Sequence, residues 1–77
     1  MNQLEEIVVS IEEYEAIRLA DLQNLSQSDS AKRMGLSQPS FHRILASARK
    51  KISDAIVNGK SIKIEGGHYI VTTKKSE

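Results

Sequence analysis

The chain contains 77 residues, of which 39% are hydrophobic and none is cysteine, and its formal net charge at pH 7 is +1. This length fits one small domain, and the lack of cysteine excludes disulfides and thiolate metal sites. The sequence shows neither a signal peptide nor an apolar run long enough to span a membrane. We therefore expect a cytoplasmic protein that does not contact a membrane, with one domain over residues 1–73 and a disordered tail over residues 74–77.

The charges are distributed unevenly along the chain. Residues 1–30 hold seven acidic residues and one basic residue, a net charge of −6, whereas residues 31–77 hold ten basic and three acidic residues, a net charge of +7. A basic segment of this kind is typical of a surface that faces phosphate groups, although a solvated protein surface can have the same composition.

The first predicted element is a short strand over residues 4–9, because residues 7–9 are β-branched. Ser10 and Glu13 then have the spacing of a capping box, in which each residue hydrogen-bonds the backbone amide of the other. This spacing predicts a first helix over residues 11 to about 23.

The apolar residues of this first helix lie on more than one side of it. Ile17 and Leu19 are about 160° apart around a helical axis. The pattern indicates that the helix contacts more than one neighbour. That neighbour is either a second subunit or another part of the same domain.

Two further helices follow, joined by a very short turn. Ser26 is a good N-cap for a helix over residues 27–34, and Gly35 can end that helix in a left-handed conformation. Ser37 then caps a longer helix over residues 38–57. This arrangement predicts a helix-turn-helix.

The longer helix has one apolar stripe, whose members recur every three or four residues, with adjacent pairs at residues 44–45 and 55–56. The small side chain of Ala31 allows the two helices of the motif to cross closely, with Met34 and Leu36 beside it. The stripe predicted to face the core consists of Phe41, Ile44, Leu45, Ala48, Ile52, Ala55 and Ile56.

After Gly59, which ends the third helix, the sequence predicts a β-hairpin. Residues 61–65 and 68–72 flank a Gly-Gly pair that suits a two-residue turn, and in that register their apolar residues lie opposite each other. Because a lone hairpin is marginally stable in water, we expect the strand over residues 4–9 to complete the sheet, within the chain or by exchange between two chains.

Several short segments of the sequence point to a known family. In order, they are EYEAIRLAD over residues 13–21, LSQ over 25–27, MGLS over 34–37, FHRIL over 41–45, NGK over 58–60 and IEG over 64–66. In these segments the chain resembles the family of small prokaryotic proteins called UPF0251 or DUF134, and the resemblance extends over residues 4–67. It implies a DNA-binding protein whose helix-turn-helix is similar to the promoter-reading region 4 of bacterial sigma factors.

The second helix of such a motif places its N-terminal residues against base edges in the major groove. Arg43 lies on the outward face, and its planar guanidinium matches the two acceptors that guanine presents there, whereas the amide of Gln38 suits adenine. The predicted base-reading residues are Gln38, Pro39, Ser40, His42, Arg43 and Ser47.

Other residues on either side of this helix are candidates to contact phosphates. A helix N-terminus presents unpaired amides to an anion, and lysine or arginine supplies positive charge. Each of these cations by itself is more typical of a solvated surface, and only their grouping favours DNA. The predicted phosphate contacts are Ser26, Gln27, Lys32, Arg33, Ser37, Arg49, Lys50 and Lys51.

The sequence thus predicts a mainly α fold, a three-helix domain with a helix-turn-helix and a small sheet. The expected function is sequence-specific binding of double-stranded DNA by a transcriptional regulator, as a homodimer built from the N-terminal strand, the first helix and the hairpin. The alternative is a protein-interaction module that contacts RNA polymerase or a sigma factor through the acidic first helix. We expect no cofactor, no metal site and no enzyme activity, because the sequence has no phosphate loop, paired carboxylates or activated nucleophile.

Overall fold

The computed structural model of the protein describes residues 5–65, and its elements follow the predicted order. They are β1 (Glu6–Ser10), α1 (Ile11–Ile17), a π-helical segment (Arg18–Leu22), α2 (Gln27–Met34), α3 (Gln38–Asn58) and β2 (Ser61–Glu65). The predicted mainly α fold with three helices and a small sheet is confirmed. Within residues 5–65, no helix has the length and apolar character needed to cross a membrane.

α1 begins at the predicted capping box. The backbone amide of Glu13 donates to Ser10 Oγ at 3.1 Å, and the amide of Ser10 donates to Glu13 Oε1 at 2.9 Å. These two bonds satisfy amides that have no partner inside the helix, so the boundary between β1 and α1 is fixed by local chemistry.

The helix that begins with α1 continues into a π-helical segment, which the sequence did not predict. Residues Arg18–Leu22 form a π-helical turn, and the amide of Gln23 donates to the carbonyl of Arg18 at 3.0 Å. Leu19 is buried, and Ile17 packs against the core. Both of these apolar residues therefore contact other parts of the same chain, whereas Leu22 in the same segment is 77% exposed.

The helix-turn-helix has the predicted boundaries at Gln27, Met34 and Gln38. Gly35 ends α2 with a φ of 68°, and the amides of Gly35 and Leu36 donate to the carbonyls of Lys32 and Ala31 at 3.1 and 2.9 Å. This is a Schellman motif, which requires a left-handed residue at the position that Gly35 occupies. The turn is short because the cap of α2 is followed almost at once by the cap of α3.

The core lies where α1, α2 and α3 meet. Its buried members are Ala16, Ala31, Phe41 and Leu45. Three of them, all except Ala16, belong to the predicted core set, and Met34, Leu36 and Ile44 pack around them as expected.

The prediction was wrong for one member of the stripe. Ile56 is 74% exposed, whereas its neighbour Ala55 is buried. Ala55 and Ile56 are about 100° apart around the helix, and only the side that carries Ala55 is covered here. Ala55 takes the inward position and leaves Ile56 in solvent.

The two strands form a parallel pair within the same chain. The register sets Glu6 opposite Ser61 and Val9 opposite Ile64. The predicted strand at residues 61–65 is confirmed, and the predicted N-terminal strand is present one to two residues later than expected. The proposed hairpin partner at residues 68–72 lies outside the described residues.

Candidate nucleic-acid interface

The first residues of α2 and α3 lie together at one end of the domain. Gln27 and Gln38, with Pro39 and His42, line an open depression of about 410 Å³. His42 Nδ1 is 3.3 Å from Gln27 Oε1, so the two helices are linked by a side-chain contact at their exposed ends. The structure therefore brings together three predicted base-reading residues and one predicted phosphate contact. A duplex that lies across this end would meet both helix N-termini at once.

The predicted hydroxyl contacts at these helix starts act as caps. Ser26 Oγ accepts from the amide of Asp29 at 3.0 Å, and Ser37 Oγ accepts from the amide of Ser40 at 3.2 Å. The Ser37 hydroxyl also donates to Ser40 Oγ at 3.0 Å. These bonds hold the helix starts in place. Ser26 Oγ accepts in its cap bond, so its hydroxyl can still donate to a phosphate, whereas the Ser37 hydroxyl would have to exchange Ser40 Oγ for the phosphate.

The outward row of α3 is open along its length. Pro39, Arg43, Ala46 and Lys50 are all exposed, and they lie three or four residues apart, so they share one face. Arg43 is about one and a half turns from the capped start of the helix, which is the part that enters a groove in this class of motif.

The unpaired positive charge is concentrated on the helix-turn-helix. Among residues 5–65, five of the nine lysines and arginines form ion pairs with carboxylates of the same chain: Arg18, Arg49, Lys51, Lys60 and Lys63. The other four lie on α2 and α3: Lys32, Arg33, Arg43 and Lys50. The cations that are not bound to carboxylates within the described residues therefore all lie on the two helices of the motif.

Arg49, a predicted phosphate contact, is already engaged by an acid. Its Nε and Nη2 donate to the two carboxylate oxygens of Asp21 at 3.1 and 2.7 Å. Hydrogen bonds from this guanidinium lower the pKa of Asp21, more than its slight burial raises it. The pair is about half exposed, so a DNA phosphate could compete with Asp21 for Arg49.

Two further predicted contacts, Ser47 and Lys51, are bound by Glu13. The Ser47 hydroxyl donates to Glu13 Oε2 at 2.6 Å, and Lys51 Nζ donates to Glu13 Oε1 and to the carbonyl of Val8, both at 2.9 Å. Their polar groups therefore hold α3 against α1 and β1. Sequence reasoning identified Glu13 as a helix cap and missed its role as the acceptor for two residues more than thirty positions away.

Glu13 is the most strongly perturbed acid described. It is 8% exposed. Burial by itself would raise its pKa, but hydrogen bonds from Lys51, Ser47 and the amide of Ser10, with the charge of Lys51, outweigh that effect and lower the pKa from 4.5 to about 2. The carboxylate is thus charged and fully used inside the domain.

The acids of the first helical region are mostly neutralised internally. Glu13 binds Lys51, Glu15 binds Arg18 at 2.6 Å, and Asp21 binds Arg49. Glu12 is the remaining acid of this region and forms no ion pair among residues 5–65. A positively charged partner would therefore meet few unpaired carboxylates on α1.

His42 and the other polar residues do not form a metal site in the part of the chain that the structure describes. No group of three or more His, Cys, Asp or Glu side chains there is placed to hold a metal ion.

The fold is that of a small mainly α domain, with three helices and a two-stranded parallel sheet. The family model described as "Protein of unknown function DUF134" matches residues 1–72, and the chain belongs to that family. It is 58% identical over 69 residues to a UPF0251 protein of Moorella thermoacetica, covering 90% of this chain and 46% of that protein. It is also 54% identical over 71 residues to a UPF0251 protein of Caldanaerobacter subterraneus, covering 92% and 60% of the two chains.

A UPF0251 protein of Prosthecochloris aestuarii is 52% identical over 75 residues, which cover 97% of this chain and 46% of that protein. The chain therefore spans about half the length of the curated relatives it matches. No solved structure matches it.

Proposed function

We propose that this chain binds duplex DNA through its helix-turn-helix and acts in the regulation of transcription. The observation that carries the proposal is the position of the unpaired cations: within residues 5–65 all four lie on α2 and α3. Cations that are not held by carboxylates are available to replace the counterions of phosphates.

The roles of individual residues follow from their positions. Arg43, in the exposed row near the start of α3, is suited to the two acceptors of guanine, and Gln38 in the first turn is suited to adenine. Lys50 lies two turns beyond Arg43, where the helix leaves the groove beside the backbone. Lys32 and Arg33, near the C-terminal end of α2, are placed to contact phosphates on the other side of the groove.

The competing proposal, a contact with RNA polymerase or a sigma factor through acidic α1, has less support. Three of the four acids in residues 11–22 are bound to cations of the same chain. Breaking these pairs to form new ones across an interface would gain little.

A salt titration with fluorescently labelled duplex DNA tests the proposal. We expect affinity to fall steeply as salt rises, and the slope of log K against log salt to decrease by about one when Lys32, Arg33 or Lys50 is replaced by alanine. Lys63→Ala is the matched control, because it removes the same charge from β2, where Lys63 pairs with Glu65 at 3.3 Å. Undetectable binding at low salt, or equal effects of Lys63→Ala and Lys50→Ala, would contradict the proposal.

A further inference from the structure

The C-terminal part of α3 exposes apolar side chains where the sequence had predicted core. Ile56 is 74% exposed and Val57 is 80% exposed. Ser53, also exposed, lies three and four residues before them, so the three side chains share one face of the helix. We call these three residues the α3 strip. Adjacent exposed apolar side chains form a contiguous patch, and contiguous patches rather than single residues are the surfaces used for interaction.

We propose that the α3 strip is the docking site for a second copy of this chain, related by a two-fold axis that passes near Ile56. This inference rests on the proposed function, because it explains how two reading helices would be placed on one duplex. It differs from the interface that the sequence suggested, which used the N-terminal strand, the first helix and the hairpin. In the structure, β1 is paired with β2 of its own chain, and Ile17 and Leu19 face inward.

The charges around the strip fit a second copy better than a charged partner. A two-fold axis sets each group near it opposite its own copy, so unpaired charges there would repel. The strip carries no charge. Beside it Asp54 and Lys60 pair with each other at 3.1 Å, and Lys50, one turn before Ser53, also acts on Asp54. Lys60 also pairs with Glu5 at 3.2 Å. A self-complementary contact at this position therefore brings together surfaces whose charges are already balanced.

The position of the strip along α3 sets the distance between the two reading sites. Ile56 follows Arg43 by thirteen residues, which is about 20 Å at 1.5 Å per residue. Two helices that extend in opposite directions from the axis would place their Arg43 side chains up to about 40 Å apart. A modest tilt of the helices brings this close to the roughly 34–36 Å that separates half-sites one turn apart on the same face of DNA.

The small area of the strip predicts how the two copies assemble. Two branched side chains per copy can bury on the order of a few hundred Å², below the roughly 1,200–2,000 Å² of a standard stable interface. The copies should therefore associate weakly in free solution. Adjacent half-sites would hold them close together and raise their effective concentration, so DNA should promote the contact.

Disulfide crosslinking tests this arrangement, because the chain contains no cysteine of its own. Val57→Cys places one thiol on the strip, close to its own copy across the axis. Leu22→Cys is the matched control, because Leu22 is a similarly exposed apolar residue, at 77%, on a different element. Under a mild oxidant, Val57→Cys should give covalent dimers several-fold faster than Leu22→Cys, and duplex DNA of about 30 base pairs should increase that difference.

The same measurement separates failure of this inference from failure of the DNA proposal. If the two cysteine variants crosslink at equal rates both in concentrated protein and on DNA, the strip is not the docking site, whatever the affinity for DNA. If Val57→Cys crosslinks selectively without DNA but no variant binds duplex, the docking site holds and the proposed function fails. Ile56→Glu should weaken the self-association measured by sedimentation and reduce the cooperativity of binding to long duplex DNA. Leu22→Glu should leave both quantities unchanged. The opposite result for the two variants would also overturn the inference.

Discussion

The Ser47 hydroxyl donates to Glu13 Oε2 at 2.6 Å and so joins the middle of α3 to the first turn of α1. Glu13 also accepts from the amide of Ser10 and from Lys51, so a single buried carboxylate connects the end of β1 and two helices. Each of its bonds comes from a different element or a different turn. Together with the core packing of Phe41 and Leu45, these bonds fix the rotational position of α3, and with it the side on which Arg43 lies.

We predict that Glu13 makes the domain sensitive to acid. The pKa of Glu13 falls from 4.5 to about 2 on folding, so the charged form stabilises the native state above pH 4.5 and this contribution is lost as the pH falls towards 2. The shift corresponds to at most about 3 kcal/mol of the free energy of unfolding. Urea unfolding at a series of pH values between 2 and 6 measures this effect.

The Glu13→Gln variant should be less stable than the native chain at pH 7 and should lose less of its stability between pH 5 and pH 2. Glu12→Gln is the control, because Glu12 forms no ion pair among residues 5–65. If Glu13→Gln kept the full acid sensitivity of the native chain, the carboxylate would not be the group that titrates.

A second prediction separates base reading from phosphate binding on α3. Arg43→Ala should weaken binding to a preferred duplex by about 1–3 kcal/mol and relax its sequence preference, whereas Lys50→Ala should weaken all duplexes alike. Sequencing of fragments selected by each variant, with titrations of preferred and scrambled duplexes, measures both effects. Equal losses on the two duplexes for both variants would remove Arg43 as a base reader.

A third prediction concerns the pair between Asp21 and Arg49. Asp21→Asn releases the guanidinium that Asp21 now holds at 2.7 Å, and should increase affinity for any duplex and steepen its salt dependence. The fold should be little affected, because exposed ion pairs contribute little to stability.

Glu15→Gln provides the matched control for this experiment. It changes the net charge by the same amount but releases Arg18, which lies outside the helix-turn-helix. An equal gain in DNA affinity for the two variants would show that only net charge matters and that Arg49 has no special position.

A fourth prediction uses an unsatisfied hydroxyl in the core. Ser30 is fully buried, and among residues 5–65 its Oγ has no hydrogen-bond partner. On folding, the Ser30 hydroxyl loses its hydrogen bonds to water and gains none within the described chain. Ser30→Ala removes this hydroxyl, so it should raise the free energy of unfolding by about 1 kcal/mol. Thermal unfolding measures this change.

The control for Ser30 is its buried neighbour Ala31, at which serine would add a second hydroxyl to the same region. Ala31→Ser should lower the melting temperature. A lower melting temperature for Ser30→Ala would mean that the hydroxyl does have a partner.

Features that depend on local chemistry were the ones that the sequence predicted well. Ser10, Ser26 and Ser37 cap the helices at the expected positions, because a side-chain oxygen and the amide it accepts lie within three residues. Gly35 and Gly59 end helices as expected, because a left-handed backbone strongly favours glycine. These signals are complete within a few residues of sequence.

Features that depend on distant neighbours were predicted poorly. The parallel pairing of β1 with β2, the exposure of Ile56 and the binding of Ser47 and Lys51 by Glu13 all depend on how the helices cross. Ser47 and Lys51 have the composition of a DNA-facing surface, and no local pattern indicates that a glutamate far along the chain will face them. Helical periodicity identifies a face but does not identify what covers it.

The parallel pairing of β1 and β2 has a consequence for the order of folding. Glu6 pairs with Ser61, so 55 positions separate two residues that share one short ladder. Closing so long a loop loses chain entropy that a five-residue ladder alone can scarcely recover, whereas the helices need only nearby residues. We expect the helices to come together first and the two strands to join last. During synthesis β1 would therefore leave the ribosome long before β2. The edge of β1 would stay unpaired until almost the whole described chain had emerged.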